Sequence, residues 1–190
     1  MKRLFSLLLA ATLLLSACST GAQRHNANSC AVLLDNEEAL FLACVAEMEA
    51  FGEERIYVAM EAEETKEGEK MRPPRLVSYV KESDDRKEIE NEALQKVLTE
   101  YGFRLIFFQT ASDSRRSVIF SYSKESDSGV QNGIYYTYDA LPCAWWGRKG
   151  ELVRKHGRWL QIDRSGDAAY FTIQLSEHFY YFEKYGNLVA

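Results

Sequence analysis

Past residue 20, three histidines and three cysteines are the side chains best suited to chemistry: His25, His156, His178, Cys30, Cys44 and Cys143. A nucleophilic site needs a Ser or Cys with a His in hydrogen-bond reach and a third group orienting that base. The spacing assembles no such set. His156, in "RKHGRW", fits the tip of a two-residue hairpin turn. His178 fits one polar position of an alternating strand. Cys143, in "ALPCAWWG", sits in a proline-aromatic turn without a neighbouring base to lower its pKa. There is no C-x-x-C, and no His lies at ligand spacing from a Cys, so no zinc site is expected. The chain also has no G-x-S-x-G, H-E-x-x-H, glycine-rich phosphate loop or EF-hand spacing. No catalytic residue, metal ligand or cofactor is assigned. Cys30 and Cys44 are the disulfide candidate, one just before a predicted helix and the other within it. Closing a loop of about 15 residues contributes on the order of 3 kcal/mol in the chain-entropy model. The alternative is three buried thiols acting as small hydrophobes.

Recognition chemistry concentrates in "PCAWWGRKG", residues 142–150. Successive side chains of a strand point to opposite faces, so Trp145 and Trp146 cannot both point inward. An outward Trp beside Arg148 and Lys149 makes an aromatic-basic patch suited to a protein interface, a sugar or a headgroup. The competing reading puts one Trp in the core and the other under the flanking loop.

A fourth cysteine has a different setting. Lys2 and Arg3 precede an apolar run over residues 4–15, broken by Ser6 and Thr12. A helix of that length covers about 18 Å, short of the roughly 30 Å hydrocarbon core, and suits the apolar region of a signal peptide. The segment ends Leu15-Ser16-Ala17-Cys18. It resembles the lipobox of bacterial lipoproteins over residues 1–18. The resemblance implies a diacylglyceryl thioether on Cys18, cleavage between Ala17 and Cys18, and in many bacteria acylation of the new amino group. It also implies location in the cell envelope. Ser19, where an Asp would resemble an inner-membrane retention signal, leans toward the outer membrane, facing the periplasm, in a two-membrane host. The alternative is a secreted protein in which Cys18 is incidental.

Without residues 1–17 the chain has 173 residues, which suits one domain. It also loses two cations, so a formal charge of −5 becomes −7. That balance argues against nucleic acid or anionic lipid as a general partner. Apolar and aromatic shares of 46% and 13% are enough for a sizeable core. The expected organisation is a signal peptide over 1–17, a polar tether over 18–29 containing a solvated His25, and one domain over 30–190.

The elements follow from periodicity. Phe41, Cys44, Val45, Met48 and Phe51 form one apolar stripe, predicting a helix over 35–51 capped by Asp35 and Glu38 and closed by Gly52. A second helix is expected over 83–101 with Ser83 as N-cap. Strands are expected over 55–60, 75–80, 103–110, 117–123 and 133–140, then a hairpin over 151–162 turning at His156-Gly157, then 169–175 and a closing strand over 178–185. Residues 61–74 read as an exposed charged loop. The fold class is α+β, two helices packed on an antiparallel, meander-like β-sheet. A helix-on-curved-sheet roll of this kind resembles cystatin-like folds.

The resulting expectation is a lipid-anchored envelope protein acting as a non-enzymatic binding module, with the membrane and an envelope protein as partners and no nucleic acid. Two rivals differ in surface. An immunity-type or inhibitor lipoprotein neutralising a cationic toxin or enzyme needs a concentrated acidic face. A small envelope hydrolase needs a deep pocket holding His156 or His178 with a carboxylate.

Overall fold

The computed structural model describes residues 25–52, 55–61, 74–80, 86–110, 115–123, 130–144, 152–162 and 169–185. They form two helices, α1 (Ala27–Ala50) and α2 (Glu92–Glu100), and ten strands. The strands are β1 (Arg55–Glu61), β2 (Arg75–Tyr79), β3 (Arg86–Glu88), β4 (Leu105–Thr110), β5 (Arg116–Ser121), β6 (Gln131–Thr137), β7 (Val153–Lys155), β8 (Arg158–Ile162), β9 (Ala169–Gln174) and β10 (Phe179–Tyr185). All pair antiparallel in one sheet of order β3-β2-β1-β4-β5-β6-β10-β9-β8-β7. The expected α+β class, helices on a meandering antiparallel sheet, is what forms.

Three local expectations change. The first helix starts at Ala27, not near Asp35, because Asn26 and Ser29 make the capping box. Asn26 Oδ1 accepts from the backbone N–H groups of Asn28 and Ser29, each at 3.0 Å, and Ser29 Oγ accepts from Asn26 N at 2.9 Å. Cys30 and Leu34 then extend the buried stripe of Phe41, Cys44, Val45 and Met48 by two more turns. The Asp35–Glu38 stretch instead surrounds a kink at Glu37 (φ −130°, ψ 19°). Residues 25–29 therefore belong to the domain and not to the tether. Second, α2 begins at Glu92 with Asn91 as cap, whose side chain accepts from Leu94 N at 2.9 Å. Arg86–Glu88 has no apolar stripe to bury and pairs as an edge strand with β2; Ser83 lies outside the described residues. Third, β10 does not close the sheet. It lies inside it, between β6 and β9.

That central position buries β10 on both sides. Phe179 and Tyr181 join Phe41, Phe120, Ile106 and Val118 in the main core beneath the helices. Tyr180 and Phe182 face the other way, into a second cluster with Ile119, Tyr135, Cys143 and Tyr170. The β7–β8 turn is as expected: His156 and Gly157 take φ of 50° and 76°, the positive values a two-residue hairpin turn requires.

Gly133 is the tightest point of the sheet. A Cβ there would stand 2.1 Å from the carbonyl oxygen of Phe120 and 2.9 Å from Cε1 of Phe182. The nearer atom is backbone in a central strand and cannot rotate away. Gly133→Ala should cost about 3 kcal/mol, the upper end for overpacking. Urea unfolding with an unchanged midpoint would contradict this.

Candidate functional site

The helices cover one face of the sheet as far as β6 and β10. Where that cover stops, at the first turn of α1, the face carried by β8, β9 and β10 opens into a cleft of about 290 Å³. Alternation in β10 points Tyr181, Glu183 and Tyr185 into it, and β9 adds Phe171 and Ile173. Asn26 and Asn28 form the helix-side rim and Arg158 the far rim. The floor is thus aromatic, with one carboxylate and one guanidinium.

Hydrogen bonding sets the polarity of the cleft. Glu183 accepts from the hydroxyls of Tyr181, at 2.5 Å, and Tyr185. The Tyr181 hydroxyl is also 3.1 Å from the carbonyl oxygen of His25, so its one proton serves either acceptor. Burial raises the Tyr181 phenol well above its ordinary value, and the neighbouring Glu183 adds to the shift. The hydroxyl therefore stays a donor at neutral pH. Asn132 Nδ2 donates to the same His25 oxygen at 2.7 Å, and the His25 ring stacks on Tyr122 at 3.7 Å between centroids. His25, expected to be solvated, is docked, and burial lowers its pKa.

Arg158 is the cation on the outer rim among the described residues. The guanidinium of Arg158 lies 5.0 Å from the Phe171 ring centroid, and that of Arg154, on the opposite face, 5.3 Å from the Trp159 ring. Among the described residues no carboxylate pairs with Arg154, Lys155 or Arg158.

The described residues that line the cleft include no histidine, serine or cysteine. His156 is at the hairpin tip. His178 has Nδ1 2.8 Å from the Thr137 carbonyl and stacks on Tyr136. Neither lines the cleft. Among the described residues, no group of His, Cys, Asp and Glu is placed to hold a metal, and no helix is long and apolar enough to cross a membrane.

The Cys30–Cys44 disulfide is not formed, and the geometry opposes it. Both lie in α1, each seven residues from the kink, and both are free, buried thiols. Seven residues of helix rise about 10 Å on each side, whereas a disulfide needs Cα atoms about 4.4–6.8 Å apart. Only a reversal of the helix on itself would bring the thiols together. Burial instead raises Cys30 to about 11 and Cys44 to about 12, which makes both unreactive core thiols.

Cys18 and the patch residues Trp145, Trp146, Arg148 and Lys149 lie outside the described residues. The segment leading to the patch is firmly placed. It crosses the face opposite the helices, and three tyrosines from three strands bind its backbone. Tyr180 donates to Ala140 O at 2.7 Å, Tyr170 donates to Cys143 O at 3.1 Å, and Tyr135 accepts from Cys143 N at 3.2 Å. The described part of this segment, up to Ala144, is packed against the sheet, with Cys143 buried.

Sequence reasoning did not find the cleft. A usable signal existed in "YFEKY", which places Tyr181, Glu183 and Tyr185 on one face of a strand. The helix-side rim, Asn26 and Asn28, comes from more than a hundred positions away, and Arg158, Phe171 and Ile173 come from two other strands. No family model matches the chain, and no curated protein or solved structure matches it, so the likeness to cystatin-like folds rests on helix-on-sheet layering alone.

Proposed function

We propose that the protein is anchored by acyl chains on Cys18 in the bacterial cell envelope, at the outer membrane facing the periplasm where the host has one, and acts there as a non-enzymatic binding module for another envelope protein. The observation that carries the binding role is the open aromatic cleft with Arg158 on its rim, a guanidinium that has no carboxylate partner among the described residues. Desolvated aromatic and Arg side chains supply most of the energy at protein interfaces. Arg158 on the rim suits a carboxylate of a partner segment, and this lining offers no concentrated acidic face to support an immunity-type role against a cationic toxin. A hydrolase role built on His156 or His178 gains nothing from this cleft, because neither is among its described lining residues.

Tyr185 is 41% exposed in the cleft and Val32 is 61% exposed on the outer side of α1. A photo-crosslinking phenylalanine at position 185, in the native envelope, should give a discrete protein adduct, and the same residue at position 32 should not. Arg158→Glu should reduce the adduct about thirtyfold, the weight of a 2 kcal/mol interface residue, with little change in melting temperature. Equal adducts from both positions, or none from position 185, would remove the cleft as the binding surface.

A further inference from the structure

The two edges of the sheet carry charge differently. At the β3 edge the cations are neutralised: Arg86 pairs with Glu61, and Arg75 with Glu88 at 2.8 Å. Charged residues on a short edge strand guard against edge-to-edge pairing, and paired charges suffice for that. At the β7 edge, Arg154, Lys155 and Arg158 have no carboxylate partner among the described residues, although the chain as a whole is acidic. All six residues from Val153 to Arg158 are exposed, and Val153 leaves 58% of its surface in solvent. Protection of an edge does not require unpaired cations flanked by an exposed apolar side chain.

The position of this hairpin relative to the anchor narrows what it meets. Arg158 and Asn26 line the same cleft. The chain just before Asn26 is held there, because Asn132 and the Tyr181 hydroxyl grip the carbonyl of His25. Cys18 is seven residues earlier. At about 3.3–3.6 Å per extended residue, those seven positions span at most about 25 Å. The acyl chains thus hold the hairpin side of the domain close to the bilayer, and there the nearest dense anionic surface is phospholipid headgroups.

We propose that the β7–β8 hairpin is a second membrane contact, resting Arg154, Lys155 and Arg158 on anionic headgroups of the bilayer that holds the Cys18 acyl chains. The proposal rests on the anchoring of Cys18. A chain that is negative overall turns its other surfaces away from such a bilayer, so the contact orients the domain. The cleft then opens beside the membrane, within reach of a partner segment that emerges from the same bilayer.

The test uses the full lipidated protein reconstituted in phosphatidylcholine vesicles with or without phosphatidylglycerol. Lysine amines are acylated from the aqueous side and read by mass spectrometry. Lys155 should label at least about fivefold more slowly when phosphatidylglycerol is present, the equivalent of one basic residue held at an anionic surface. Lys96 on α2 should label equally in both. High salt should restore Lys155 labelling, as should Arg154→Glu with Arg158→Glu, with melting temperature as the folding control. Equal labelling of Lys155 in the two vesicles overturns the proposal, as does equal protection of Lys96. Protection by added polyglutamate but not by phosphatidylglycerol also overturns it, in favour of an acidic protein on the hairpin. If intact mass shows no acyl group on Cys18, the anchoring and this contact both fail. An acylated protein with an unprotected Lys155 sinks this contact alone.

Discussion

Above pH 10 the protein should lose its fold over about one pH unit. The cause is the number of buried groups that must stay protonated in the native state. Cys30 and Cys44 are raised by burial from 9.0 to about 11 and about 12. Tyr135 and Tyr170, both fully buried, are raised well above 10.0 by burial as the largest cause. The unfolded chain ionises these groups at their ordinary values and the folded chain does not. The stability they contribute is complete below the unfolded values. It is lost as pH rises through 9.0 for the thiols and 10.0 for the phenols, and is gone at the folded values. Each group costs about 1.4 kcal/mol per pH unit inside its window. Together the four remove on the order of 8 kcal/mol by about pH 11, comparable to the roughly 5–15 kcal/mol that holds a domain folded. Far-UV circular dichroism followed against pH would show a cooperative loss in this range. Cys44→Ala should flatten the earliest part, between 9.0 and 10.0, where thiols titrate and phenols do not. A melting temperature that stays constant from neutral pH to about pH 11 would contradict the burial of these groups.

Cys18→Ala should abolish stable membrane association. A single acyl chain binds bilayers with a partition constant of only about 10⁴ M⁻¹, and stable anchoring takes a second chain or a second signal. The two or three chains implied at Cys18 meet that requirement, at about 0.8 kcal/mol per buried CH₂. Removing the thiol removes the thioether, the processing site and the acylated amino group together. The wild-type protein should partition into detergent and incorporate labelled acyl chains; Cys18→Ala should do neither. What then remains is the hairpin alone, three cations at about 1 kcal/mol each on an anionic surface, which high salt should remove. Equal membrane recovery of the two proteins would end the anchored reading.

Much of the secondary structure was open to local inspection. Alternation alone placed Val118, Phe120 and Tyr122, and likewise Ile134, Tyr136 and Tyr138, on the core face that α1 covers. The His156-Gly157 turn was equally plain, because its two positive φ values are a local requirement. Local signals failed where two patterns competed over the same residues. Asn26-x-x-Ser29 lay in a polar run that read as tether, and it outweighed Asp35-x-x-Glu38 because the turns it starts bury Cys30 and Leu34. Arg86–Glu88 carries no strand signal of its own and is held as a strand by β2.

Strand order and the cleft needed the whole fold. Ten antiparallel strands with the same alternation can pair in many orders, and none of them states its neighbour. β10 enters the interior because the connection after β6 carries the chain to the far edge, from which β7, β8 and β9 return. The cysteines show the same division. Their spacing permitted a disulfide, and their positions along one helix removed it. The cleft joins Asn26, Arg158, Phe171 and Glu183, which no period relates. A side chain's face depends on its immediate neighbours along the chain, whereas what that face meets depends on contacts closed across more than a hundred residues.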